Sequence, residues 1–106
     1  MYRSIDPPTL QAMLDSNAPP VLLDVRTVEE FARGHLAHAR HIPLAELPHR
    51  VNELSRDTPL VAYCLSGTRS ASACQFLAQH GFPDIYNLEG GIAAWSRAGQ
   101  PIATQV

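Results

Sequence analysis

The chain alternates short apolar runs with stretches of helical periodicity. Val21-Leu22-Leu23-Asp24-Val25 is nearly continuous in apolar residues, as in a strand covered on both faces of a parallel sheet. Leu60-Val61-Ala62-Tyr63 is a second such run, and Asp84-Ile85-Tyr86-Asn87-Leu88 reads as a third strand. Between them lie helical patterns. Asp6 is placed to cap a first helix with Pro7 at its first position, and Leu10, Met13 and Leu14 share a face until Asn17-Ala18-Pro19-Pro20 breaks it. Thr27 and Glu30 form a capping box that opens a short helix to about Arg33, stopped by Gly34. His35 to His41 reads as irregular, closed by Ile42-Pro43-Leu44. Pro48 opens a helix carrying Val51 and Leu54, and Asp57-Thr58-Pro59 turns the chain into the second strand. Ser70 to Gln79 carries Ala71, Cys74, Leu77 and Ala78 at helical spacing and ends at Gly81. Gly90 to Arg97 is the last helix, ended by Gly99. Strands alternating with helices predict an α/β fold with a mainly parallel sheet.

Asp24 interrupts its apolar run and must be paired or hydrogen-bonded there. The other anomaly follows the second strand. Cys64 ends it and is succeeded by Leu65, Ser66, Gly67, Thr68, Arg69 and Ser70 before the helix. Cysteine at a strand end is often plain core, but this small, polar continuation is poor core material. Strand, tight loop and helix is the arrangement that aims backbone N–H groups at one point. A loop that curls back rings the sulfur with donors, and the helix N-terminus adds partial positive charge. Both favour the thiolate over the thiol. Gly67 allows the positive φ a tight closure needs. Ser66, Thr68 and Ser70 are small hydroxyl donors, with Ser70 also a candidate helix cap.

A length of 106 residues suits one domain, residues 1–106. Its 45% hydrophobic and 17% charged content argues for a globular chain over a disordered one. A net charge of −2 gives no general pull toward nucleic acid or an anionic membrane. No run is long enough to span a bilayer, and Met1 to Pro8 lacks the apolar core of a signal peptide. The two cysteines, Cys64 and Cys74, lie in the loop and the following helix, so a reducing cytoplasm is the expected setting. Cys74 reads as a buried core residue, the sharper alternative being a resolving thiol. His35, His38 and His41 are spaced by three but lack helix signals and a carboxylate partner, so no metal is expected. No cofactor is expected either.

The loop from Cys64 to Arg69, between a strand and a helix, resembles the active-site loop of the rhodanese family of sulfurtransferases. Leu22-Leu23-Asp24-Val25-Arg26, Glu29-Glu30-Phe31, Gly34-His35-Leu36, Ala39 and Ile42-Pro43 follow that family's N-terminal pattern. Leu88-Glu89-Gly90-Gly91-Ile92-Ala93-Ala94-Trp95 follows its C-terminal one. The resemblance covers about Ile5 to Pro101. It implies a five-stranded sheet with helices on both faces and Cys64 as nucleophile, carrying sulfur as a persulfide from a small donor to a thiophilic acceptor. Thiosulfate and cyanide are the implied small molecules; a protein persulfide donor or a thioredoxin-like acceptor is the implied protein partner. Asp24 is then expected to orient loop backbone or Arg69, and Arg26 to pair with Glu30 or a nearby carboxylate. His35 is expected to bond backbone nearby. Arg69 is either a fork for an anion or a loop-closing residue bonded to carbonyls or Asp24. Gly90 and Gly91 are expected to let the last helix pass close to the loop, with Trp95 in the core. Two departures stand out. Leu65 occupies a position where some thiosulfate-using relatives carry a basic residue, which argues against strong thiosulfate activity. His38 stands where many relatives have glycine.

Four residues separate Cys64 from Arg69, whereas protein-phosphatase loops place five. The tighter ring fits one sulfur better than a phosphoryl group, so sulfur transfer ranks above phosphatase or arsenate-reductase activity. A rival reading of another class is a protein-binding or persulfide-carrier module without turnover of small donors.

Overall fold

The structure, a computed structural model, describes residues 1–104. Its strands are β1 (Arg3–Ile5), β2 (Val21–Asp24), β3 (Arg40–His41), β4 (Leu60–Tyr63) and β5 (Ile85–Leu88). They form one sheet in the order β1-β5-β4-β2-β3, every neighbouring pair parallel. The helices are α1 (Pro7–Leu14), α2 (Val28–Arg33), α3 (Leu47–Arg50), α4 (Thr68–Gln79) and α5 (Gly91–Arg97). None is long and apolar enough to cross a membrane.

The central strands explain the layering. Successive side chains of β4 face opposite sides. Leu60, Ala62 and Cys64 join a cluster with Leu47, Cys74 and Leu77, from α3 and α4. Val61 and Tyr63 join another with Leu10, Ile92 and Trp95, from α1 and α5. The expected five-stranded sheet with helices on both faces is therefore present, and its two cores explain why the β2 and β4 runs are apolar without alternation.

Several capping signals act as expected. Asp6 accepts the Thr9 N–H at 3.0 Å with Pro7 leading α1. The Thr27–Glu30 capping box is formed in both directions. Other elements differ from expectation. β1 and β3 are edge strands of three and two residues, too short for any periodicity to reveal. The segment from Pro48 is one α-turn between two tighter turns, Leu44–Glu46 and Val51–Glu53. Leu47, Val51 and Leu54 still reach one core, so their spacing reported burial and not a continuous helix. The buried face of α4 is Ser70, Ala73, Cys74 and Leu77, leaving Ala71 and Ala78 only half-buried. His38 adopts the left-handed conformation, φ 68°, and so keeps the turn that glycine would make.

Candidate active site

β4 carries the chain to the carboxyl edge of the sheet, where Cys64 is 1% exposed. Gly67 closes the turn behind it with φ 105° and serves as the N-cap of α4. The helix thus starts two residues earlier than its sequence pattern predicts, and Ser70 lies inside its first turn instead of capping it. The Gly67 N–H donates to Cys64 Sγ at 3.1 Å, and Ser70 Oγ lies 3.4 Å from the sulfur. Burial pushes the thiol pKa up, but the Ser70 hydroxyl and the N–H groups of Ser70, Gly67 and Ser66 outweigh it, leaving it below the ordinary value. Cys74 has no comparable set of donors. Burial pushes its thiol up to about 12, and its S–H donates to the Tyr86 carbonyl at 3.4 Å. It is a core residue, fully buried.

The loop is braced from two further elements. Ile92 and Ala93, in the first turn of α5, donate backbone N–H groups to the carbonyls of Cys64 and Leu65 at 2.9 and 3.1 Å. Those carbonyls therefore face α5 while the loop N–H groups face the sulfur. Gly91 makes the approach possible: a Cβ there would sit 2.5 Å from the Cys64 carbonyl oxygen and collide with that of Leu65. Asn87, on β5, accepts the Ser70 hydroxyl at Oδ1, 2.6 Å away, and donates from Nδ2 to the Gly67 carbonyl at 3.1 Å. Asn87 is absent from the residues singled out by sequence, although one signal for it exists. An asparagine inside an otherwise apolar, doubly covered strand is costly unless something hydrogen-bonds it.

Arg26 takes a nearby carboxylate as expected, and that carboxylate is Asp24; the roles of Asp24 and Arg69 differ from expectation. Asp24 orients neither Arg69 nor the Cys64 loop. Its two oxygens accept from Arg26 Nε and Nη2, the shortest contact being 2.7 Å, and the Arg26 backbone N–H also donates to it. Arg26 Nη2 in turn donates to the Gly34 carbonyl at 2.7 Å. This buried pair ties the end of β2 to the end of α2, because a carboxylate two residues from its own guanidinium is nearer than any other partner. Arg69 bonds neither backbone carbonyls nor Asp24. Its Nη1 and Nη2 donate to Glu30 Oε1 and Oε2 at 2.7 and 2.9 Å. That bidentate pair holds the Glu30 carboxyl down at about 2. His35 bonds backbone as expected, its Nδ1–H donating to the Phe31 carbonyl at 3.1 Å while its ring stacks on Phe31. These contacts support α2, away from the sulfur. Thr68 and Leu65 are exposed, Leu65 at 50%. Beside the loop opens a surface depression of about 390 Å³, lined by Arg26, Glu30, Arg33, Leu65, Ile92 and Ala93 among others.

The sequence and the fold are similar to those of known proteins. The family model of the rhodanese-like domain matches residues 6–98. A sulfurtransferase of Allochromatium vinosum is 40% identical over 102 residues, 96% of this chain and 95% of that one. A thiosulfate sulfurtransferase, GlpE, of Stutzerimonas stutzeri is 35% identical over 89% of this chain and 84% of its own. Among solved structures, a rhodanese-related protein of Thermoplasma volcanium superposes with a TM-score of 0.91 at 36% identity, covering 98% of this chain and all of that one. A rhodanese-like domain protein of Staphylococcus aureus gives 0.88 at 31% identity, over 98% and 99% of the two chains.

Proposed function

The chain belongs to the rhodanese-like family, and on that premise we propose that it is a sulfurtransferase working through a persulfide on Cys64. The observation that carries the reading is the sulfur at the end of β4, facing loop N–H groups that lower its pKa. The Cys64 thiolate attacks the outer sulfur of a donor such as thiosulfate. The donor S–S bond breaks, its electron pair leaves with sulfite, and Cys64 keeps the sulfur as Cys–S–S⁻. An acceptor then attacks the terminal sulfur. With cyanide the product is thiocyanate and the thiolate returns; with an acceptor thiol, the sulfur moves on as a new persulfide. The loop N–H groups that steady the thiolate serve the persulfide anion equally, so both steps begin from a stabilised anion. A protein persulfide donor and a thioredoxin-like acceptor are the protein partners this chemistry suits. The free state of both cysteines fits a reducing, cytoplasmic setting. A phosphatase reading is disfavoured because Arg69, the residue that would grip a phosphoryl group, is engaged by Glu30.

The test is intact-mass spectrometry of the reduced protein after exposure to a sulfur donor, beside Cys64→Ser. The expected result is a gain of one sulfur, about 32 Da, reversed by cyanide and absent from the variant, as covalent catalysis at one thiol requires. Sulfur uptake that persists in Cys64→Ser overturns the reading.

A further inference from the structure

We propose that Glu30 determines which sulfur donors the site accepts, by neutralising Arg69 and so disfavouring dianions such as thiosulfate. The inference rests on the sulfur-transfer reading and deepens it.

Three observations converge. Arg69 lies in the first turn of α4, and both of its terminal nitrogens donate to the two Glu30 oxygens. The fork that suits an oxyanion is therefore filled by a carboxylate of the same chain. Glu30 is in turn held from behind, its Oε1 accepting the Thr27 N–H at 3.0 Å and the Thr27 hydroxyl at 3.2 Å. It cannot swing away without opening the capping box of α2. Finally, the residue next to the nucleophile is Leu65, half exposed, and Ile92, Ala93 and Ile102 line the same depression. Asp24 engages Arg26 in the same way, so it adds no free cation there. Arg33 on the rim is exposed and acts on any anionic donor through solvent.

The consequence follows from charge. The loop N–H groups suffice for one negative charge, on the thiolate or the persulfide. The donor must approach the Cys64 thiolate, whose repulsion grows in proportion to donor charge, while the Glu30–Arg69 pair, with no net charge, offers no attraction to offset it. A donor with one charge fewer and an apolar tail meets half that repulsion from the thiolate and finds Leu65, Ile92 and Ala93 beside it. The methanethiosulfonate anion is such a donor. It delivers the same outer sulfur as thiosulfate: the thiolate attacks it, the S–S bond breaks, and methanesulfinate leaves with the electron pair.

The experiment compares kcat/KM for thiosulfate and for methanethiosulfonate in the parent protein and in Glu30→Gln. Glutamine keeps the capping box and one hydrogen bond to Arg69 but removes the charge. The expected result is that the thiosulfate-to-methanethiosulfonate ratio rises about tenfold, the scale of removing one like charge near a partly exposed site. Thr27→Ala, which loosens α2 without changing charge, should leave the ratio where it was. A ratio in Glu30→Gln within threefold of the parent's overturns the proposal, as does an equal rise in Thr27→Ala. If the parent takes sulfur from either donor while the ratio stays flat, only the role of Glu30 falls. If neither protein takes sulfur from either donor, the sulfur-transfer reading falls with it.

Discussion

The reactivity of Cys64 is a balance between burial, which favours the neutral thiol, and donors that favour the thiolate. The Ser70 hydroxyl has one proton and two acceptors, Asn87 Oδ1 at 2.6 Å and Cys64 Sγ at 3.4 Å. Removing that hydroxyl leaves the backbone donors in place but takes away one donor that favours the thiolate, so Ser70→Ala should raise the Cys64 pKa. The measurement is the pH dependence of alkylation by iodoacetamide. The parent's rate should rise through a midpoint below that of a free thiol, and the variant's midpoint should move up. Cys74, with its thiol pushed up to about 12, should stay unmodified in the folded protein at every pH of that series. At this scale much was legible in advance. A cysteine followed by small polar residues and an arginine announces a donor-lined loop. Which carboxylate takes which arginine was not legible, because Glu30 and Arg69 are thirty-nine positions apart and only the fold sets them face to face.

The N-terminus of α5 shapes the active loop as much as α4 does. α4 supplies its first turn around the sulfur, while α5 holds the loop's carbonyls and thereby turns its N–H groups inward. Gly91 carries this contact, with φ 62° and no room for a side chain against the Cys64 and Leu65 carbonyls. Gly91→Ala should cost at least about 1–3 kcal/mol in urea unfolding, from the left-handed backbone alone. The same variant should slow alkylation of Cys64, since the displaced carbonyls turn the loop. A variant of unchanged stability and reactivity would show that α5 is only a neighbour. The Gly90-Gly91 pair was readable as a close approach. Asn87 was legible only as a costly polar residue in an apolar strand; its partners come from its standing opposite both Ser70 and Gly67.

Over the whole molecule, the parallel sheet puts the ends of β2 and β4 side by side, with Asp24 in register with Tyr63, one residue before Cys64. The buried Asp24–Arg26 pair sits there, 0% and 5% exposed, tying the sheet to the end of α2. Removing one partner strands a buried charge, so Asp24→Ala should destabilise the fold by about 3–5 kcal/mol in chemical denaturation, whereas Asp24→Ala with Arg26→Leu should recover a large part of that loss. A single variant within about 1 kcal/mol of the parent would contradict the burial argument, being no more than an exposed pair is worth. The sequence by itself determined the local elements whose signals lie within a few residues: the doubly covered strands, the caps at Asp6 and Thr27, and the strand–loop–helix that presents Cys64. It also placed the Cys64 thiol beside its nearest donors, since Cys64, Ser66, Gly67 and Ser70 lie within seven consecutive residues. The tertiary structure alone decided the edge strands β1 and β3, the partners of Asn87 and the pairing of Arg69 with Glu30. Strand pairing and charge pairing depend on distance in space, and the chain pattern encodes distance only where neighbours in sequence are also neighbours in the fold.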